Sequence, residues 1–372
     1  MPSLRENMAD LERPVLPGGD PFGTHRSLEP RGALPQPAFR VDNDFARLFQ
    51  GELLLRVDTL NVDAASFRQM EEEAIADATP DRDTLPGAIH PVALRILSTI
   101  NARGKQHNPV TGSGGMLLGR VLQVTPDHPD HGRLEVGDRV ATLVSLSLTP
   151  LKVSNVRVVR PQSAQLDVEG EALLFASGAY AKMPDDLAPR LALAVLDVAG
   201  AAPQVARLAT RARSICILGA GGKSGVLCAA EARRTGGREV RIIGVESHRP
   251  YADDLRALGL CDAVLELDAR DPVAVRTAVL AANDGAEVDL SLSCVNVGDA
   301  EMSAILVTKD RGVAYFFAMS TSFTKAALGA EGVGKDIDLV IGNGYAQGHA
   351  DHSLAMMRAM PDVRALFERR YG

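Results

Sequence analysis

Residues 215–225 read ICILGAGGKSG, an apolar run followed by a glycine turn and a helix start. Glycine at such a bend lets backbone N–H groups approach a pyrophosphate closely, and the helix N-terminus adds partial positive charge. Gly219, Gly221, Gly222, Lys223, Ser224 and Gly225 are therefore the candidate cofactor-binding residues, in the strand–turn–helix setting that a dinucleotide requires. A phosphate-loop ATPase is excluded, because its motif needs glycine where Ile217 stands. A dinucleotide site also needs an acid about 20 residues further on, closing the second strand and accepting from the adenosine ribose hydroxyls. Glu246 stands at that separation from Gly225 and argues for NAD, whereas the adjacent His248 and Arg249 could meet the extra phosphate of NADP. Asn296 closes the fourth strand, where the nicotinamide end would lie, and reads equally as a plain loop residue.

Three further segments crowd polar side chains among glycines. RGKQHNPVTGSGGMLLG (103–119) carries Lys105, His107, Asn108, Thr111 and Ser113. STSFTKAALGAEGVGK (320–335), with Lys325 and Glu331, leaves the fifth strand at the carboxyl edge, where open α/β sheets bind ligands. GNGY (342–345), with Asn343, leaves the sixth strand at the same edge. Capping and turn chemistry is the plainer account of each. His128 and His131 read as exposed turn residues.

The elements that must position these groups fall into two textures. From about residue 50 to 144, short strand candidates (51–57, 117–124, 138–144) are separated by Gly, Pro and Asp clusters, which suggests an antiparallel barrel or sandwich. Residues 90–103 read as a helix with Pro91 in its first turn and Gly104 after its end. Residues 187–201 read as one buried helix. Beyond it, strands at 214–218, 240–246, 263–267, 288–295, 312–317 and 337–341 alternate with helices, the pattern of a doubly wound parallel sheet. The expected class is α/β, with a proline-rich arm (1–45), a barrel domain (46–185) and a dinucleotide-binding domain (186–372). Seven of the 21 prolines fall in the first 37 residues, so the arm is expected to be loosely ordered or wrapped over a neighbour.

Composition narrows the function. The 372 residues carry 40 basic and 47 acidic side chains, a net charge of −7, which argues against a general nucleic-acid partner. No apolar run has the length of a membrane span, and the first residues lack the apolar core of a signal peptide. Four cysteines without CxxC spacing read as reduced thiols, so a cytoplasmic protein is expected. A catalytic zinc needs thiolate and imidazole ligands, and no cysteine precedes Cys216, so no metal site is expected.

The same residues carry a resemblance at two levels. GELLLRV (51–57), LGRVLQV (118–124), VGDRV (136–140) and AKMPDDL (181–187) resemble the GroES-like barrel of medium-chain dehydrogenases and its lead into the cofactor domain. LGAGGKSG (218–225) is similar to the zinc-free branch of that superfamily, with Ser224 where a strict GxGxxG has its third glycine. More narrowly, HNPVTGSGGM (107–116), LGAGGKSG, TSFTKAALGAEGVGK (321–335) and IGNGY (341–345) together resemble the L-erythro-3,5-diaminohexanoate dehydrogenase family of lysine fermentation. The arm lies outside this resemblance.

The resemblance implies NAD(P)-dependent oxidative deamination of (3S,5S)-3,5-diaminohexanoate to 5-amino-3-oxohexanoate and ammonium. It also implies a small-molecule substrate and a homo-oligomer, dimer or tetramer. Deaminating an amine needs a proton taken from the ammonium and later from water, work that suits groups with near-neutral pKa. Lys105 and His107 are the candidates for it, with Glu331 seating the other ammonium and Lys325 or Arg103 the carboxylate. Asn108, Thr111, Ser113 and Asn343 would orient the substrate. Two other functions remain open on the sequence: a zinc-independent quinone or enone reductase, and a dinucleotide-binding sensor without chemistry. Ammonium release separates the first from both.

Overall fold

The computed structural model describes residues 12–76, 90–110 and 112–372. The chain divides into two compact units, Met1–Pro189 and Arg190–Gly372. The first is built on an antiparallel sheet of six strands: β1 (Glu52–Asn61), β2 (Met116–Val124), β3 (Arg139–Thr142), β4 (Leu151–Arg160), β5 (Gln165–Phe175) and β6 (Tyr180–Lys182). Their order is β6-β3-β2-β1-β5-β4, with β1 paired to both β2 and β5. Helices α1 (Ala64–Ala76) and α2 (Pro91–Arg103) accompany the sheet. Pro91 opens α2, the His90 ring accepts from the Val92 N–H, and Gly104 ends the helix at φ 71°. Strands β4 and β5, among the longest, were not among the expected strands. Half of β4 alternates charged and polar residues on an exposed face, which hides its apolar positions at Leu151 and Val153.

Strand β1 is apolar on both faces, and that explains the N-terminal segment. Leu53, Leu55 and Val57 point into one core with Ile96, Ile100, Leu117 and Leu166. Leu54 points the other way, against Phe45, Leu48 and Leu173. The proline-rich segment from residue 12 onward is therefore the cover of the sheet's second face rather than a loose arm. Arg26 fixes it there. All five guanidinium donors are used: two on Glu52 (2.8 and 2.9 Å), one on Asp42, and two on the Asp44 and Arg47 carbonyls. Glu52 also bonds the His25 ring at 2.9 Å and the Phe49 N–H at 2.7 Å. His128, expected to be exposed, is buried, and its Nδ1 accepts from the Asp130 N–H.

The second unit holds six parallel strands: β7 (Ser214–Leu218), β8 (Arg241–Val245), β9 (Ala263–Leu265), β10 (Val288–Ser293), β11 (Thr308–Phe316) and β12 (Asp338–Ile341). Their order, β9-β8-β7-β10-β11-β12, reverses between β7 and β10, as in a doubly wound dinucleotide fold. The helices are α3 (Pro189–Leu196), α4 (Ala201–Ala209), α5 (Lys223–Gly236), α6 (Arg249–Leu258), α7 (Pro272–Ala282), α8 (Glu301–Val307), α9 (Phe323–Gly332), α10 (His349–Ala359) and α11 (Pro361–Tyr371). The single helix expected over 187–201 breaks before Gly200, where a Cβ would lie 2.6 Å from the Gly344 carbonyl oxygen. Among the described residues no single helix is long and apolar enough to cross a membrane.

Removing Arg26 strands a buried carboxylate. Arg26→Met is expected to lower stability by about 3–5 kcal/mol in urea denaturation. Burial alone would raise the Glu52 carboxyl, but the bonds from Arg26 and His25 outweigh it and hold it below its ordinary 4.5. That stabilisation is present above about pH 4.5 and is lost as pH falls through the lower folded value. The acid limb of wild-type stability should accordingly flatten in Arg26→Met.

Candidate active site

The turn between β7 and α5 is made by three close approaches. Gly219 has φ 72°, which favours glycine. A Cβ on Gly221 would lie 2.7 Å from the Tyr251 Cβ, and one on Gly225 would lie 2.1 Å from the Gly219 carbonyl oxygen. Gly225, one residue beyond the position occupied by Ser224, is thus the glycine that lets helix and turn close. No side chain caps α5, whose N-cap is Gly222. The glycine cradle at the start of α5, bare of side chains, fits a dinucleotide diphosphate. The turn adjoins the carboxyl end of β10: a Cβ on Gly219 would lie 3.1 Å from the Cys294 carbonyl.

Glu246 closes β8 as expected and is buried. Its Oε2 accepts from the Gly221 N–H at 3.0 Å and its Oε1 from the His248 N–H at 2.9 Å. The carboxylate therefore sits against the glycine turn, where a ribose hydroxyl could replace the Gly221 donor. Lys223 turns elsewhere. Its Nζ pairs with Asp197 at 2.7 Å and lies 5.5 Å from the centre of the Tyr371 ring. Ser224 is half-buried in the first turn of α5, and Asn296 is exposed in the bend after β10.

The loop from Gly104 to Gly115 folds into the first unit, and its polar residues divide between holding it and facing nothing. Lys105 is fully buried, and its Nζ donates to the Pro35 and Gln36 carbonyls. Burial, with the charge of Arg103, pushes its pKa down to about 8. It is a clamp on the N-terminal segment, and its donors point at backbone rather than at a substrate. Asn108 is likewise engaged: Oδ1 accepts from the Val110 N–H, and Nδ2 donates to Gln69 at 2.9 Å. Arg103 stacks on Phe39, 4.9 Å from its centre. Ser113 is half-buried, and its carbonyl accepts from the Asn108 N–H. Thr111 lies outside the described residues.

His107 behaves differently. Its Nδ1 is buried without a hydrogen-bond partner among the described residues. Burial, then the charges of Lys105 and Arg103, lowers its pKa below 6.5, so the imidazole is neutral near pH 7 and able to accept a proton. Next to it in the chain, Gln106 is fully buried, with neither amide atom partnered among the described residues. Gln106 was not singled out in the sequence, where one glutamine in a polar run carries no period or motif.

The remaining expected residues scatter over the second unit. Lys325, near the start of α9, pairs with Asp299 at 2.5 Å in the open, which raises its pKa. Glu331 stands exposed at the far end of α9. The helix has by then run back toward the amino edge, where Lys335 bonds the carbonyl of Thr308, the first residue of β11. It cannot share the carboxyl-edge site with Asn343. Asn343 does lie at that edge, but its Oδ1 closes a local turn on the Tyr345 N–H and its carbonyl accepts from Gln204. Among the described residues no three His, Cys, Asp or Glu side chains converge in a way that could hold a metal ion.

Comparison with known proteins gives near end-to-end likeness. The L-erythro-3,5-diaminohexanoate dehydrogenase of Acetoanaerobium sticklandii is 47% identical over 353 residues, covering 95% of this chain and 99% of its own. The chain belongs to the L-erythro-3,5-diaminohexanoate dehydrogenase family. The enzyme of that name from Fusobacterium nucleatum subsp. nucleatum is 46% identical over the same shares. The model of the family's N-terminal domain matches residues 25–184, so the family likeness takes in much of the expected arm. Among solved structures, a mycobacterial protein in complex with NADPH aligns at TM-score 0.53 and 15% identity, covering 86% of this chain and 89% of that one. An alcohol dehydrogenase from Thermotoga maritima aligns at TM-score 0.52 and 13% identity, covering 84% and 83%. These likenesses show the fold, that of medium-chain dehydrogenases and reductases.

Two substitutions test these placements. Gly225→Ala should abolish dinucleotide binding measured by calorimetry, since its methyl group collides with the turn itself. Lys105→Met should lower the melting temperature, because the buried Pro35 carbonyl loses its donor, at roughly 1–3 kcal/mol, and the Gln36 carbonyl loses a second bond. A Lys105→Met protein as stable as the parent would remove the clamp.

Proposed function

We propose that this chain oxidatively deaminates (3S,5S)-3,5-diaminohexanoate. Substrate, NAD⁺ and water give (S)-5-amino-3-oxohexanoate, ammonium, NADH and one proton. The observation that carries this reading is the near full-length likeness to two dehydrogenases of that name. Bound at the β7–α5 turn, the dinucleotide supplies the hydride acceptor. The chain's own residues supply the rest. The uncapped amides of α5 hold the diphosphate, and Glu246 accepts from the adenosine ribose. His107, held neutral by burial and by nearby positive charge, takes a proton from the 3-ammonium. That proton passes to solvent, and the neutral ring then takes a proton from the water that attacks C3 and returns it to the departing nitrogen. The unpartnered Gln106 carboxamide offers a neutral acceptor for a substrate ammonium.

The acid at the end of β8 favours NAD, because the 2′-phosphate of NADP would face the Glu246 carboxylate. The proposed chemistry needs no zinc, so a chelator should leave the rate unchanged. Among the described residues no strand pairs with the outer edge of β12, and Ile341 on it is exposed, which suits assembly with a second copy.

The decisive assay supplies NAD and the diamino acid and follows NADH and ammonium, which should appear in equal amounts. NADH without ammonium would overturn the proposal. His107→Gln should lower kcat about 10²–10⁴-fold. In the parent, kcat/KM should rise with pH through a step below 6.5, since protonated His107 is inactive. Lys105→Met removes a positive neighbour and should move that step upward.

A further inference from the structure

The last turn of the chain reaches the glycine turn. Arg370, on α11, donates from Nη1 to the Gly221 carbonyl at 2.6 Å. Its guanidinium lies 3.9 Å from the centre of the Tyr251 ring, and Nη2 pairs with Asp254 at 2.6 Å. Its side chain is 10% exposed. Tyr251 in turn packs against Gly221, and Tyr371 lies beside Lys223, the first residue of α5. We propose that Arg370 is a positioning residue for the dinucleotide: it sets the orientation of the diphosphate-binding turn from the far end of the sequence. This rests on the dinucleotide reading of that turn.

The geometry explains how. The Gly221–Gly222 peptide is a rigid plane. Arg370 holds its oxygen, while its N–H donates to the Gly219 carbonyl at 3.2 Å. The N–H of Gly221 is held by Glu246 at 3.0 Å. The glycines that make the cradle possible would otherwise leave it free to move, and ordering it would weaken binding. Arginine is required because one side chain must stack on a ring, pair with a carboxylate and reach a carbonyl at once. The ammonium of lysine is a single point.

Calorimetry with NAD, and separately with ADP, tests this on the full-length protein without diamino acid. ADP carries the diphosphate and adenosine ribose but no nicotinamide. Arg370→Ala is expected to raise both dissociation constants about tenfold. In turnover, KM for NAD should rise while kcat at saturating NAD and KM for the diamino acid hold within about twofold. Arg370→Lys, which keeps the charge beside Asp254 and guards against a folding defect, should also bind more weakly than the parent. Arg369→Ala loses a bond to the same Asp254 but none to Gly221, and should bind as the parent does. Parental affinity in Arg370→Lys, or equal weakening in Arg369→Ala, overturns the proposal. A parent protein that binds neither NAD nor ADP refutes the dinucleotide reading itself.

Discussion

The carbonyl oxygen of Gly219 occupies the place where a Cβ of residue 225 would be. The helix that follows β7 starts close enough to the strand to present its amides only because that atom is missing. The rest of the second unit arranges itself about the constraint. β8 ends so that Glu246 meets Gly221, β10 ends against Gly219, and the last helix brings Arg370 to the same residue. A turn with so little side chain of its own is held by side chains from three other places in the chain. Close approach and rigidity are thus supplied separately, the first by glycine and the second by Glu246, Tyr251 and Arg370.

In the first unit, buried cations play the corresponding part. Arg26 and Lys105 each satisfy backbone carbonyls in the N-terminal segment, whose own ladders are two short strand pairs, Val15–Leu16 with Leu48–Phe49 and Ser27–Glu29 with Arg40–Val41. Proline removes donors and leaves carbonyls over, and a cation with several N–H groups is a compact way to meet them. Lys105 then has a second consequence. Fixed beside His107, its charge helps keep the imidazole unprotonated. One residue thus couples the packing of residues 35–36 to the protonation of the candidate base.

The legibility of the sequence follows the range of the interactions involved. The β7–turn–α5 unit, the Asp271 cap of α7 and the Pro91–Gly104 bounds of α2 are set within a few residues, and all are readable from the chain. So was the α/β class with its two sheets. The bonds of Lys105 to carbonyls some 70 residues away, and of Asn108 to Gln69, 39 away, have no local signature in the chain. The N-terminal segment looked loose because its own residues make no core; its order comes from Leu54 and Leu173 across the sheet. Glu331 ends up away from the carboxyl edge because α9, which begins there, runs back along the sheet for its full length. Arg370 was invisible for the same reason as Lys105: nothing local marks a C-terminal arginine as belonging to a turn at residue 221.

The chemistry of the substrate explains why an amide suits the loop better than an acid. The diamino acid brings two ammonium groups, and one must lose its proton to a base. A carboxylate beside His107 would bind ammonium well, but it would also stabilise the imidazolium and raise the histidine's pKa, slowing the transfer that starts the reaction. A carboxamide accepts the ammonium hydrogen bond without that effect. Lys105 and Arg103 push the same way by disfavouring the imidazolium. They also repel the two ammonium groups, so neutral acceptors for those groups and a partner for the carboxylate suit the substrate better than further charge. Buried Gln106, whose amide atoms have no partner among the described residues, carries that polarity: an oxygen that accepts and an NH₂ that donates. An unpaired buried amide is unfavourable in the free protein, and that unfavourable state is relieved only when a partner arrives.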